Sequence, residues 1–216
     1  MKYAFKTLFL LTLFASAAFA ADATSSLKPP PGARVAIVVF EDLECPSCAH
    51  AYPQVWQIAN ENNVPVELRD YIIPSHHWSA DAAVFARFFD QQSQQLGNDF
   101  RGYIYSNQTQ ITRANLRQYV DKFASDKKVA VPFAIDADGS LISKVQADTA
   151  LGRELNISGT PAIYVVGNGG AATPAVQTQL DNLNQSVQEM LAKSPAPAKT
   201  PAKPSTGKKK VAKKAQ

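Results

Sequence analysis

The sequence predicts an α/β fold: a strand–helix–strand unit, then a block of helices, then a closing strand–helix unit. Three observations predict it. Val35 to Phe40 is a run of six apolar residues rich in Val and Ile, the pattern of a central strand buried on both faces. Residues 79 to about 127 hold helix-spaced apolar residues and little strand signal. A second Val-rich stretch, Ala162 to Val166, follows them. A buried strand, a helix and another strand in succession is the pattern of a βαβ unit.

Taken in order, Arg34 to Phe40 is the first strand. Cys45 to Asn62 reads as a helix, with Pro46 suited to its first turn and Ala49, Tyr52, Val55, Trp56 and Ala59 at helical spacing. Asn62-Asn63 ends it, and Val64 to Ile73 is the second strand, closed by Pro74. Three helices follow. Ala82, Val84, Phe85, Phe88 and Phe89 give the first its apolar face, and Phe100, Tyr103 and Ile104 the second. Leu116, Tyr119, Val120 and Phe123 give the third, with Thr112 as its expected N-cap. After an Asp138-Gly139 turn, a helix is expected over Ser140 to Leu155, and then the strand from Ala162. Asn168-Gly169-Gly170 turns the chain, with room for a short strand nearby. Residues 175 to 192 read as a closing amphipathic helix through Val176, Leu180, Leu183, Val187 and Met190.

Both ends of the 216-residue chain differ in composition from the middle. Lys2 and Lys6, the apolar run Leu8 to Phe14 and the small-residue site Ala18-Phe19-Ala20 make residues 1–20 a signal peptide. The apolar run is short of the ~20 residues that span a bilayer. The expected location is periplasmic or otherwise extracytoplasmic, with a soluble mature protein. Residues 21–33, with Pro29-Pro30-Pro31-Gly32, read as a leader or linker. Residues 193–216 hold eight lysines, four prolines and no acid, a composition that cannot offset its ordering entropy by burial and reads as disordered. Without the eight tail lysines and the two signal lysines, 12 basic residues stand against 18 acidic ones, so the body carries about −6 while the whole chain is +4. That excludes a basic nucleic-acid-binding face. The body, 34–192, suits one domain.

The chain has two cysteines, spaced Cys45-Pro46-Ser47-Cys48, where the buried strand gives way to the helix. Unpaired N–H groups and the partial positive charge of a helix N-terminus favour a thiolate there. That acidifies Cys45 as the attacking or leaving sulfur. Cys48, one turn later and more shielded, can resolve a mixed disulfide. Three other readings stand beside this one. A structural staple over so short a loop would constrain the unfolded chain little. A metal site drawing on His50, His76 or His77 lacks the four ligands a structural zinc wants. The third is an inert buried pair. An oxidising compartment favours a disulfide that forms and persists.

The stretch Phe40-Glu41-Asp42-Leu43-Glu44-Cys45-Pro46-Ser47-Cys48 resembles the active-site segment of DsbA-like proteins of the thioredoxin superfamily. Ile157-Ser158-Gly159-Thr160-Pro161-Ala162 resembles the G-T-P loop of that family, and the helical block between them matches its helical insertion. The resemblance covers residues 34 to 192. It implies a thioredoxin fold with a helical insertion between the βαβ unit and the C-terminal strand–helix unit. It also implies a cis Thr160-Pro161 bond facing the cysteines, with Thr160 open to pair with an extended substrate chain and Gly159 permitting close approach. Read alone, Pro161 is an ordinary loop proline. No cofactor is expected beyond a redox-active Cys45–Cys48 disulfide, and no metal.

Two departures from the family matter. Pro46-Ser47 lacks the histidine of the archetypal oxidase, and Ser47 adds no positive charge beside Cys45. About 30 mV corresponds to ~1.4 kcal/mol for this couple, so modest changes move such a protein between oxidant, isomerase and reductase. The first strand is also wholly apolar through Phe40, where related proteins carry a buried acid. Glu41, Asp42 and Glu44 are the candidates for proton transfer, against a default reading as solvated strand-end charges. His76 and His77 are expected to pack the insertion, and Trp56 and Trp78 to serve as core or groove residues.

Three functions follow as expectations. The first is an enzyme that introduces or shuffles disulfides in unfolded or cysteine-containing exported proteins, served by an unidentified membrane or soluble redox partner. The second runs the same chemistry as a reductase. The third is a non-enzymatic metal- or envelope-binding protein whose lysine tail contacts anionic surfaces in a salt-dependent way, as against a tail that is merely solvated. With no dimerisation domain in view, a monomer is expected.

Overall fold

The apolar run forms β1, Val35–Glu41, which is buried along its whole length. In this computed structural model, which describes residues 24–196, β1 is an inner strand of a four-stranded sheet of order β2-β1-β3-β4. β2, Val66–Asp70, runs parallel to it, pairing Asp70 with Glu41. β3, Ala162–Gly167, runs antiparallel on its other side, pairing Ala162 with Phe40. β4, Val176–Thr178, pairs antiparallel with β3 at the edge.

Alternate residues of β1 face opposite ways, and each set meets its own apolar layer. Val35, Ile37 and Val39 pack against Val55 and Ala59 of α1, Pro46–Asn62, and Leu183, Val187 and Met190 of α6, Leu183–Lys193. Ala36, Val38 and Phe40 pack against Ile157, Tyr164 and Leu27. Leu27 is buried, so the stretch read as a leader contributes a side chain to the core. The signal segment and most of the tail lie outside the described residues. No helix among the described residues is long and apolar enough to cross a membrane.

The insertion is built from α2, Ser79–Gln92, α3, Gln94–Asn107, and α4, Leu116–Lys127. Ser93 separates the first two in an extended conformation and caps α3 by accepting the Leu96 N–H. Phe89, Phe100 and Phe123 meet at centroid distances of 4.7 to 5.3 Å and anchor the cluster that also holds both cysteines. Gly139, at φ +71°, then leads into α5, Ser140–Glu154. The Asp136 carboxylate accepts the Leu141 and Ile142 N–H groups at its start.

Three expected boundaries shift. The N-cap is Asn115 rather than Thr112, whose own N–H donates to the Asn115 side chain, and α4 begins at Leu116. The second strand is Val66–Asp70 rather than Val64 to Ile73, because Ile72 N–H turns to Thr149 and Ile73 N–H to Asp42. The closing helix begins at Leu183, not 175. Val176–Thr178 pairs with the free edge of β3, and a one-turn 3-10 helix over Leu180–Asn182 precedes α6. Sheet pairing overrides the helical spacing there, and Val176 is exposed.

Candidate active site

The site lies where β1 ends. Asp42 turns the chain: its carbonyl accepts Cys45 N–H at 3.0 Å and its Oδ1 accepts Glu44 N–H at 2.8 Å. Cys45 is the N-cap of α1, at φ −82° and ψ 119°, and Pro46 opens the helix. The Cys45 carbonyl accepts from Cys48 and Ala49 N–H at 3.1 and 3.2 Å. Pro46 and Ser47 are exposed, while Cys45 and Cys48 are both buried, Cys48 the more deeply. The two cysteines are free thiols.

The sulfurs have opposite acidities. Cys45 is drawn down to about 5 by hydrogen bonds from the Cys48 thiol, Thr160 and the main-chain N–H groups of Cys48 and Ser47, against the opposing effect of burial. Cys48 is pushed far up, first because its proton is held on the Cys45 sulfur and then by burial. The Thr160-Pro161 bond is cis, and Cys45 Sγ lies 3.3 Å from the Thr160 carbonyl oxygen. The G-T-P loop and the cysteine pair are therefore brought together. Gly159 is exposed, and a Cβ there would meet nothing within 4 Å. Packing within this chain does not demand glycine at that position.

The three acids separate in role. Glu41, read as a solvated strand-end charge, is the last residue of β1 and is buried; the strand runs one residue further than its apolar run. Its Oε1 lies 3.1 Å from Arg101 Nε, and its Oε2 accepts from Tyr105 Oη at 3.0 Å. Burial pushes its carboxyl up to about 7, with the Arg101 charge opposing. Glu41, Cys48 and Pro161 border a cavity of about 10 Å³, close to the volume that admits one water. Asp42 is also buried rather than solvated; its Oδ2 accepts Ile73 N–H, and its Oδ1 lies 2.9 Å from His76 Nδ1. Glu44 accepts the N–H groups of His77, Trp78 and Ser79, closing the N-terminus of α2 from outside that helix.

His50 is exposed and bonds Gln54 instead of approaching the sulfurs. Among the described residues no group of three or more His, Cys, Asp or Glu is arranged to hold a metal ion. Trp78 is a core residue of the insertion, whereas Trp56 lines an open cleft of about 850 Å³ between α1 and α3 with Tyr52, Tyr103 and Phe123.

Sequence reasoning missed a buried ionic network behind the site. Arg101 is fully buried and makes paired bonds to Asp90 at 2.8 and 2.9 Å as well as its contact to Glu41. Arg87 bridges Asp70 and Asp148 at 2.5 Å each. A signal was present: Gly97, Arg101 and Tyr105 recur every four residues on the face that also carries Phe100 and Ile104. A Cβ at Gly97 would lie 1.8 Å from Asp90 Oδ1, so that glycine makes room for the ion pair.

The comparisons agree with this architecture. A family model described as Thioredoxin matches residues 30–182. Alpha-DsbA1 of Wolbachia pipientis superposes with TM-score 0.63 at 15% identity, over 79% of this chain and 96% of that one. Alpha-DsbA2 of the same organism, described as a thiol-disulfide exchange protein, gives TM-score 0.64 at 17% identity, over 82% and 98%. A linker-deletion variant of Proteus mirabilis ScsC gives 0.63 at 20%, over 83% and 85%. No curated protein sequence matches. With the family match spanning most of the chain and the fold shared with DsbA-like structures, the chain belongs to the thioredoxin family.

Proposed function

We propose that the chain is an exported thiol–disulfide oxidoreductase that works in the oxidising direction on cysteine-containing exported proteins. The observation that carries this reading is the split acidity of the pair: Cys45 is drawn down to about 5 while Cys48 is pushed up. A thiolate stabilised in the reduced form destabilises the disulfide relative to it and makes the pair an oxidant. A value of about 5 lies between ~7 for thioredoxin and ~3.5 for DsbA. The likeness to a protein described as a thiol-disulfide exchange protein supports the chemistry.

In this direction the working form carries a Cys45–Cys48 disulfide. A substrate thiolate attacks Cys45 Sγ, the S–S bond breaks, and the Cys48 sulfur leaves with the electron pair. Cys48 strongly favours its thiol form and takes a proton. Glu41, at about 7 and bordering the same small cavity, holds one near neutral pH. A second substrate thiolate then attacks the substrate sulfur of the mixed disulfide, and Cys45 leaves as the thiolate. The substrate loses two electrons and gains a disulfide. The protein is left with a Cys45 thiolate and a Cys48 thiol and needs an oxidised redox partner to restore its disulfide. The Thr160 carbonyl beside Cys45 is the acceptor for a main-chain N–H of an extended substrate.

A second reading, reductase or isomerase, is favoured by Ser47, which brings no charge to the exposed dipeptide. There the Cys45 thiolate attacks a substrate disulfide, Glu41 takes the Cys48 proton, and Cys48 displaces the substrate. Both readings give Cys45 the first bond. In the Cys48→Ala variant, incubation with a disulfide-bearing unfolded protein should accumulate a covalent complex through Cys45, separable by non-reducing electrophoresis. The Cys45→Ala variant should form none. Equal trapping by both variants would remove the assignment.

A further inference from the structure

The link between β1 and α1 is fastened by the insertion at several points, and one of them reaches the nucleophile's own peptide group. Gln108 opens the one-turn 3-10 helix Gln108–Gln110 that follows α3. Its side-chain nitrogen donates to the carbonyls of Leu43 at 2.9 Å and Cys45 at 3.0 Å. The Cys45 carbonyl already accepts from Cys48 and Ala49 in the first turn of α1, so Gln108 brings a third donor to it. An N-cap residue keeps its conformation only while the groups on both sides of it are held. Cys45 holds φ −82° and ψ 119° at this N-cap, and the Ser47 and Cys48 main-chain N–H groups that help lower its thiol follow directly on it.

A second effect is electrostatic. A carbonyl oxygen carries partial negative charge and opposes a thiolate on the same residue. An amide –NH₂ held against that oxygen offsets the charge and places its positive end beside the sulfur's neighbourhood. A residue 63 positions away in sequence thus acts on the thiolate through the backbone.

We propose that Gln108 is a positioning residue for Cys45: the helical insertion uses its amide to hold the N-cap of α1 in the conformation that stabilises the Cys45 thiolate. The assignment rests on the thiol-exchange reading, and it makes the insertion part of the redox centre. Gln108 touches no reacting atom.

The test is a pH titration of ultraviolet thiolate absorbance and alkylation rate on the reduced full chain, with unfolding midpoints measured alongside. The titratable groups around Cys45 are Cys48 on α1, Glu41 and Asp42 at the end of β1, Glu44 in the link, His76 paired with Asp42, and Tyr105 on α3. The variants keep all of them. Gln108→Met retains length and volume and loses both donors. Its thiolate midpoint should rise by about half to one unit, which is about three- to tenfold less thiolate below the midpoint. Gln108→Glu sets a carboxylate against two carbonyls and should rise further. Gln108→Lys restores a donor with positive charge and should titrate at or below the wild type. A folded Gln108→Met with lowered stability but an unchanged midpoint overturns the proposal. Should Gln108→Met not fold, a Gln108→Lys midpoint above the wild type does so instead. A wild-type midpoint near that of a free thiol would overturn the functional reading, a separate failure visible before any variant is made.

Discussion

The two faces of the sheet and the end of the sheet are built by different physics. On the faces, Val35, Ile37 and Val39 and their counterparts Ala36, Val38 and Phe40 meet apolar layers alone. At the end, where β1 and β2 meet the insertion, Glu41, Asp70, Arg87, Asp90, Arg101 and Asp148 are linked by ion pairs. Apolar burial stabilises at about 25 cal/mol per Å² without regard to direction. Buried charges contribute little net stability compared with an apolar replacement, but they fix geometry and proton affinity. The faces hold the sheet together; the end gathers the buried charge and brings one of its carboxyls, Glu41, to the cavity beside Cys48.

The sharpest way to break this contrast is Arg101→Met. It leaves Glu41 and Asp90 buried without their shared cation, and should cost about 3–5 kcal/mol in urea unfolding. A loss under about 1 kcal/mol would mean that the network is solvated in solution.

Next in size is the pH dependence carried by Glu41. Its folded value, about 7, lies above its unfolded value near 4.5. The stability it contributes is therefore fully present below about 4.5 and is lost as pH rises through 7. That loss amounts to about 3 kcal/mol over the interval. Glu41→Gln should remove that slope, and should also remove the inflection near pH 7 in the rate at which Cys48 resolves a mixed disulfide. A rate profile identical to the wild type would take Glu41 out of proton transfer.

The smallest effect belongs to the sheet face. Ile163→Val should lower stability by about 0.5–1.5 kcal/mol and leave the Cys45 thiolate titration where it was. A shifted titration would show that the two regions are not separable.

The same contrast marks what the sequence made legible. The six apolar residues of β1, the helix spacing after Pro46 and the position of the cysteine pair at the strand–helix junction are local patterns, and the structure keeps each of them. The G-T-P loop was legible through resemblance, and it lies beside Cys45. The burial of Glu41 was not, because the groups that accommodate it, Arg101 and Tyr105, sit on a helix some 60 residues away. An acid at the end of an apolar strand reads as solvated until the insertion folds over it. Gln108 was invisible for the same reason, being one polar residue in a polar turn. The short edge strand Val176–Thr178 reads as helix in the sequence because its spacing fits both periods, and the open edge of β3 decides between them.

The central claim, that Cys45 and Cys48 form an oxidising thiol–disulfide couple, is tested most directly by equilibrating the full chain with glutathione buffers and measuring its redox potential. The acidified Cys45 predicts a potential clearly above the ~−270 mV of thioredoxin. A potential at or below that of thioredoxin would contradict the oxidising assignment and leave the reductase reading in its place.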